Sequence, residues 1–228
     1  NNDRIERTNG VQAGTYDPTI PSKGQRDDMT RGDVMVVADK GKNEYQALQI
    51  SFSKRMANNW ALDFYYTLSS SKGHVEAENN FQVHNDDPNW DKQYGYMSYD
   101  ARHRISLSGI WQLPLGFQVS AIMQYRSKTP WNAIYPYDFN LDSITGDYVD
   151  AHRNSRRGFD FFQLNARISK FFNFGKRLQL QLFGEAYNLT NHNNFTSIYN
   201  RLGSPLFGIP LGAADPRLVQ LGVRINFL

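Results

Sequence analysis

Asp63, Arg126, Arg167 and Glu185 fall on the polar side of segments that otherwise alternate between apolar and polar residues. Charges repeating at that period share one face of a β-sheet, where they either line a path for a polar solute or hold neighbouring strands in register as ion pairs. A second group, Asp100, Arg102, His103 and Arg104, stands where a long polar stretch gives way to an alternating one. It could bind an anionic ligand, although a charged junction that anchors itself is the plainer reading. Arg153, Arg156 and Arg157, beside "RGF", form another basic group with the same two readings. The stretch "HVEAENNFQVHNDDPNWDKQYGY" gathers His84, Asp86, Asp87, Trp90 and Asp91, which could coordinate calcium or contact sugar through tryptophan. It lacks EF-hand spacing, and a solvated loop explains it better, so neither a metal nor a cofactor is expected. The 5 histidines are scattered and no nucleophile motif accompanies them, so no catalytic set is expected. "RGD" at Arg31–Asp33 and the sequons "NLT" and "NFT" carry no assigned role.

The elements that must position these groups are strands. The chain has 228 residues, 13 Tyr, 15 Phe and no Cys, and a mean hydropathy of -0.61. Its longest apolar run, "VMVVA" at Val34–Ala38, is far short of the roughly 20 residues of a membrane-crossing helix. A membrane-crossing strand needs only about 10 residues, half of them apolar, so low hydropathy leaves a membrane barrel open. A net charge of +3 without a basic stripe interleaved with aromatics sets nucleic acid aside. Absent cysteine excludes disulfides and thiol chemistry. The opening "NNDRIERTNG" has neither Met nor a signal peptide, from which a processed or truncated chain is expected.

Seven segments alternate at period two: about 44–55, 60–69, 103–113, 117–127, 160–171, the start of "LQLQLFGEAYNLTNHNNF" at 178, and 217–228. Their connections alternate between short ("MANN", "PLG", "NFGK") and long (70–102, 128–158, 191–216). An up-and-down sheet gathers such turns at one rim and such loops at the other, the asymmetry of outer-membrane barrels. Aromatics cluster at both ends: Trp60, Trp111, Phe117, Phe171, Phe172, Phe174 and Phe227 near the short turns, Tyr66, Tyr125 and Phe162 near the long loops. Two aromatic girdles put the leucine face in lipid and the charged face inward, because an outward arginine at the bilayer midplane would cost about 2–4 kcal/mol. On that assignment Leu182→Arg impairs membrane assembly far more than Gln181→Arg. Asn165 is expected opposite Glu185, with Arg167 one diagonal step away.

The ordered segments "NEYQALQISFSKRMANNWALDFYYTLSSS", "YDARHRISLSGIWQLP", "RNSRRGFDFFQLNARISKFF", "EAYNLTNHNNF" and "ADPRLVQLGVRINF" resemble the C-terminal barrel portion of the Oar-like TonB-dependent outer-membrane transporters, over most of residues 43–228. The resemblance implies a plugged barrel of about 22 strands, import of a nutrient energised through TonB, and capture of that nutrient at the cell surface. No plug or TonB box is found in this chain, so TonB would be reached through a plug domain outside it. The chain also ends in Leu228 where an outer-membrane strand usually ends in an aromatic. The expected fold is therefore all-β, antiparallel and up-and-down. Residues 1–43 would form an extracellular loop or short strand region, and 44–228 a transmembrane barrel segment of about seven strands. Its surroundings would be outer-membrane lipid and lipopolysaccharide, whose phosphates Arg102, His103, Arg104, Arg156 and Arg157 could contact from extracellular loops, with Trp90 beside them. A small self-contained barrel acting as an adhesin or structural protein is the competing class, and a soluble β-sheet binding module the weaker one. The two barrel readings part on residues 33–39: closure into eight strands requires them to pair with 217–227, whereas a segment of a larger barrel leaves both edges free.

Overall fold

The computed structural model describes residues 4–8, 34–38, 41–74, 90–137, 139, 146–175 and 177–227. Seven long strands dominate: β1 Asn43–Ala57, β2 Trp60–Gly73, β3 His103–Leu113, β4 Phe117–Arg126, β5 Phe161–Phe174, β6 Leu178–Tyr187 and β7 Leu218–Phe227. Each pairs antiparallel with the next in chain order, so the sheet is an uninterrupted meander. All seven expected strands are present. β1, β2 and β5 run longer than their alternating cores, at 15, 14 and 14 residues. That exceeds the roughly 9–11 a tilted span requires, so their ends project beyond an apolar layer.

The short connections are built by residues that accept a left-handed backbone. Asn58 and Asn59, at φ 54° and 68°, join Ala57 to Trp60. Positive φ at both central residues is the hairpin turn whose twist matches the flanking strands. Gly175, at φ 62°, opens a three-residue loop between Phe174 and Leu178. That loop is centred later than "NFGK" suggests, and the register moves with it. Arg167 stands directly opposite Glu185, and Asn165 is two residues away, the next position on the same face. The expected parity holds; the expected pairing was off by one step because turn length sets it.

Register carries most apolar residues of the seven strands onto one face, while Ile110, Ile122 and Phe183 fall on the other. Phe64, Leu107, Met123 and Leu164 form one cross-strand row, and Tyr66, Ile105, Tyr125 and Phe162 the next. Toward the short turns Trp60 faces Trp111, and Phe172 faces Leu180. Phe171 is the exception among the expected girdle residues, since it pairs with Gln181 on the polar face. Among the described residues nothing packs over the apolar face: Leu48, Ile50 and Phe52 are 50–56% exposed and Leu221 is 86% exposed. Fully buried hydrophobics among the described residues are Met97, Ala101 and Ala133, all in the connections at the long-loop end. The sheet thus lacks the inward apolar core of a water-soluble domain, and so large an exposed apolar surface needs another apolar medium.

Two lysines lie on the apolar face near the short-turn rim. Lys54 donates to the carbonyls of Ala57 and Trp60 and sits 3.8 Å from the Trp60 ring centroid. Lys170 donates to the Leu115 carbonyl and lies over the Phe117 ring. Both fold their stems along apolar surface and deliver the ammonium to the rim, as lysines do at a membrane boundary. The outward parity of a lysine near a turn was their signal in the sequence.

Among the described residues β1 and β7 each have one strand partner in the sheet. Val34–Ala38 pairs with Arg4–Thr8 in a separate two-stranded sheet, not with β7. The described strands therefore do not close into an eight-stranded barrel.

Candidate functional site

Asp63, Arg126, Arg167 and Glu185 all lie on the polar face, but they do not form one cluster. Arg167 Nη1 is 3.6 Å from Glu185 Oε2, and its guanidinium carbon is 3.8 Å from the Phe183 ring centroid. Glu185 also accepts from Gln220 and Tyr187, while Gln181 donates to Ser169 at 3.0 Å. These contacts stitch β5, β6 and β7 together, the register-holding role open to charges on a sheet face. Asp63 accepts from Ser53 at 2.5 Å on the neighbouring strand. Arg126 belongs elsewhere: its paired residue on β3 is Arg104.

The grouping of Arg102, His103 and Arg104 is divided by the strand. His103 and Arg104 are the first residues of β3 and lie within it rather than in a loop, because backbone pairing with Leu68 and Thr67 extends the sheet that far. Alternation then sends them to opposite faces. His103 joins the apolar face, where its Nδ1 is 3.0 Å from the Tyr66 hydroxyl and the two rings stack. Arg104 takes the polar face and donates to the Tyr99 carbonyl at 2.7 Å. Arg102 donates to the Tyr96 hydroxyl at 3.3 Å.

Above β2 and β3 the connections form an ordered cap. Asp100 is buried; its Oδ1 accepts from the Ser71 amide at 2.7 Å and its Oδ2 meets Arg157 Nη2 at 2.8 Å. Arg157 also lies 4.4 Å from the Tyr96 ring centroid and donates to the Asp100 and Lys128 carbonyls. Arg156 makes a two-pronged pair with Asp150, at 2.7 and 2.9 Å, and is flanked by the rings of Trp131 and Phe207. Hydrogen bonding to Asp150 raises the pKa of that guanidinium above its ordinary value. Burial, and donation to Glu44, likewise push the Tyr94 phenol up. Arg153 is buried and donates to the Gly73 carbonyl at 2.8 Å. Trp90 and Asp91 begin a one-turn helix, Trp90–Gln93. His84, Asp86 and Asp87 lie outside the described residues.

The asparagines after β6 hold the strand ends in place. Asn194 is buried; its Oδ1 accepts from the Phe162 amide at 2.8 Å and its Nδ2 donates to the Phe162 carbonyl at 2.9 Å. Asn188 donates to the His192 and Asp215 carbonyls and accepts from the His192 amide. One side chain thus supplies β5 with a backbone-like pairing at its end. The local signal was only an asparagine run following a strand, and nothing in it named Phe162 as the partner. Asn194→Ala strands both backbone groups and is expected to cost about 2 kcal/mol. Hydrogen exchange at the Phe162 amide should accelerate in the variant, and unchanged protection would contradict the clamp.

A meander with a lipid-compatible face, a hydrogen-bonded polar face and short turns opposite long loops defines the wall of an outer-membrane β-barrel. The chain belongs to the outer membrane beta-barrel domain family, whose model matches residues 2–140 and 123–220. Its place is accordingly the outer membrane. No curated protein matches the chain. Among solved structures it is similar to the outer membrane transporter YddB from Escherichia coli, with a TM-score of 0.57, 13% identity and coverage of 99% of this chain and 28% of that one. It is also similar to the ferric-catecholate import receptor Fiu from E. coli K12, with a TM-score of 0.52, 16% identity and coverage of 85% and 22%. At these identities the likeness is one of fold, and the chain spans about a quarter of each structure's length.

Proposed function

We propose that this chain is part of the barrel wall of a TonB-dependent outer-membrane transporter that captures and imports a nutrient. The observation that carries the proposal is the open sheet. Among the described strands β1 and β7 each have one partner, and unpaired strand edges are too costly to leave in hydrocarbon. Further strands of the same protein then complete the cylinder, with the polar face toward a lumen occupied by a plug that contacts TonB. Asp63, Arg126, Arg167 and Glu185 become lumen residues. The long connections become extracellular, leaving Arg102 and Lys128 to meet lipopolysaccharide, because Arg156 and Arg157 are engaged by Asp150 and Asp100. The competing adhesin function uses the same cap but has no need of TonB.

Two measurements on the parent protein test this. A membrane-impermeant reagent should reach cysteine placed at Lys128 on intact cells, but reach one placed at Asn58 or Gly175 only after the outer membrane is opened. Labelling at Asn58 on intact cells would reverse the topology. Cysteine-scanning cross-links from TonB to the parent protein should form under energised conditions; ligand adhesion that persists undiminished without TonB, with no cross-link, would favour the adhesin.

A further inference from the structure

Arg104 and Arg126 are directly opposed across β3 and β4 on the polar face. Opposed residues on neighbouring strands have Cβ atoms only about 5 Å apart, and like charges so placed repel. Neither guanidinium has an acidic partner among the described residues. Arg104 is held by the Tyr99 carbonyl, and Arg126 lies 5.6 Å from the Phe161 ring centroid. Arg126 Nε is buried without a hydrogen-bond partner. The nearest lumen-side acid on β2, Asp63, is four residues from Thr67, the residue paired with Arg104, which is about 13 Å along the strand. It is already bonded to Ser53. The two arginines border a hollow of about 430 Å³ whose other walls include Tyr65, Thr67, Ser106 and Gln124.

We propose that Arg104 and Arg126 form a subsite for a small soluble polyanion, one carrying at least two carboxylate or phosphate groups, at the upper end of the barrel interior. A bridging anion converts the repulsion of the pair into two charge-assisted contacts. Thr67, Ser106 and Gln124 supply neutral polar groups, and the Tyr65 and Phe161 rings offer a surface for the body of the ligand. Selectivity follows from the same feature: a cation meets two positive charges, and a neutral solute leaves them opposed. The subsite rests on the transporter reading for its place on the route of the substrate, but binding to it requires neither TonB nor an energised membrane.

The test uses detergent-solubilised full-length parent protein, citrate as the probe, and Arg104→Gln and Arg126→Gln. Calorimetric titration should show citrate binding that weakens about tenfold or more in each variant. In buffer without multivalent anions each variant should melt at or above the temperature of the unaltered protein, and citrate should raise the unaltered protein's melting temperature most. Equal citrate affinity in all three proteins would overturn the subsite. So would variants that melt lower with or without citrate and bind it equally well, since Arg104 would then be only a strut for Tyr99. Loss of binding to lipid A micelles, with citrate affinity unchanged, would assign the pair to the lipid surface and also overturn it. A failed citrate titration alongside intact TonB-dependent uptake refutes this subsite alone; retained citrate binding without any such uptake refutes the transporter reading instead.

Discussion

Leu107→Arg in the parent protein is expected to reduce assembly into the outer membrane severely, whereas Ser108→Arg, one residue along, is expected to be tolerated. Leu107 sits on the apolar face between Phe64 and Met123, inside the band bounded by the Trp60–Trp111 pair, two rows away, and the Tyr66–Tyr125 row, one row away. An arginine there enters hydrocarbon near its midplane at about 2–4 kcal/mol. Ser108 lies opposite Asp63 on the polar face, so an arginine at 108 gains a carboxylate neighbour. Heat-modifiable mobility of the folded barrel in outer-membrane fractions reports the difference, and equal yields would contradict the facing. The same contrast at Leu182 and Gln181 is weaker, because Gln181 is buried and paired with Arg224, so an arginine on the polar face there also meets a like charge.

Asp100→Ala should release the cap. It removes a buried carboxylate that serves the Ser71 amide on one side and Arg157 on the other. Breaking a buried pair from one side costs about 3–5 kcal/mol; Arg157 is partly solvated, so about 3 kcal/mol is expected here. Asp100→Asn keeps an acceptor for Ser71 and should lose roughly half as much. Limited proteolysis on intact cells should cut the variant within 90–102 or 128–158 at protease levels that spare the original. Unchanged resistance in Asp100→Ala would show that the cap is held by its other contacts.

Alternation made the wall legible. A period of two over "LQLQLF" or "RISLSGIW" assigns each side chain to a face without knowledge of its neighbours, and short turns alternating with long connections order the strands. Exact pairing was less legible: whether Asn165 or Arg167 faces Glu185 depends on where a turn containing one glycine is centred. Arg102, His103 and Arg104 looked like one cluster because adjacency in sequence is not adjacency on a strand; His103 and Arg104 diverge as soon as β3 begins. The Asp100–Arg157 pair and the Asn194 clamp on Phe162 join distant parts of the chain, and no periodic signal reaches across such separations. Arg104 and Arg126 were visible singly, one as a junction residue and one as a lining residue, but only the register sets them face to face.

One face of this sheet is expected to meet lipid and the other not. A nitroxide scan of β6, one residue at a time from Leu178 to Tyr187 in the parent protein reconstituted in bilayers, tests it most directly. Oxygen accessibility should rise at Leu180, Leu182 and Gly184 and fall at Gln179, Gln181 and Phe183. A scan with the opposite phase, or with no alternation, would contradict the account.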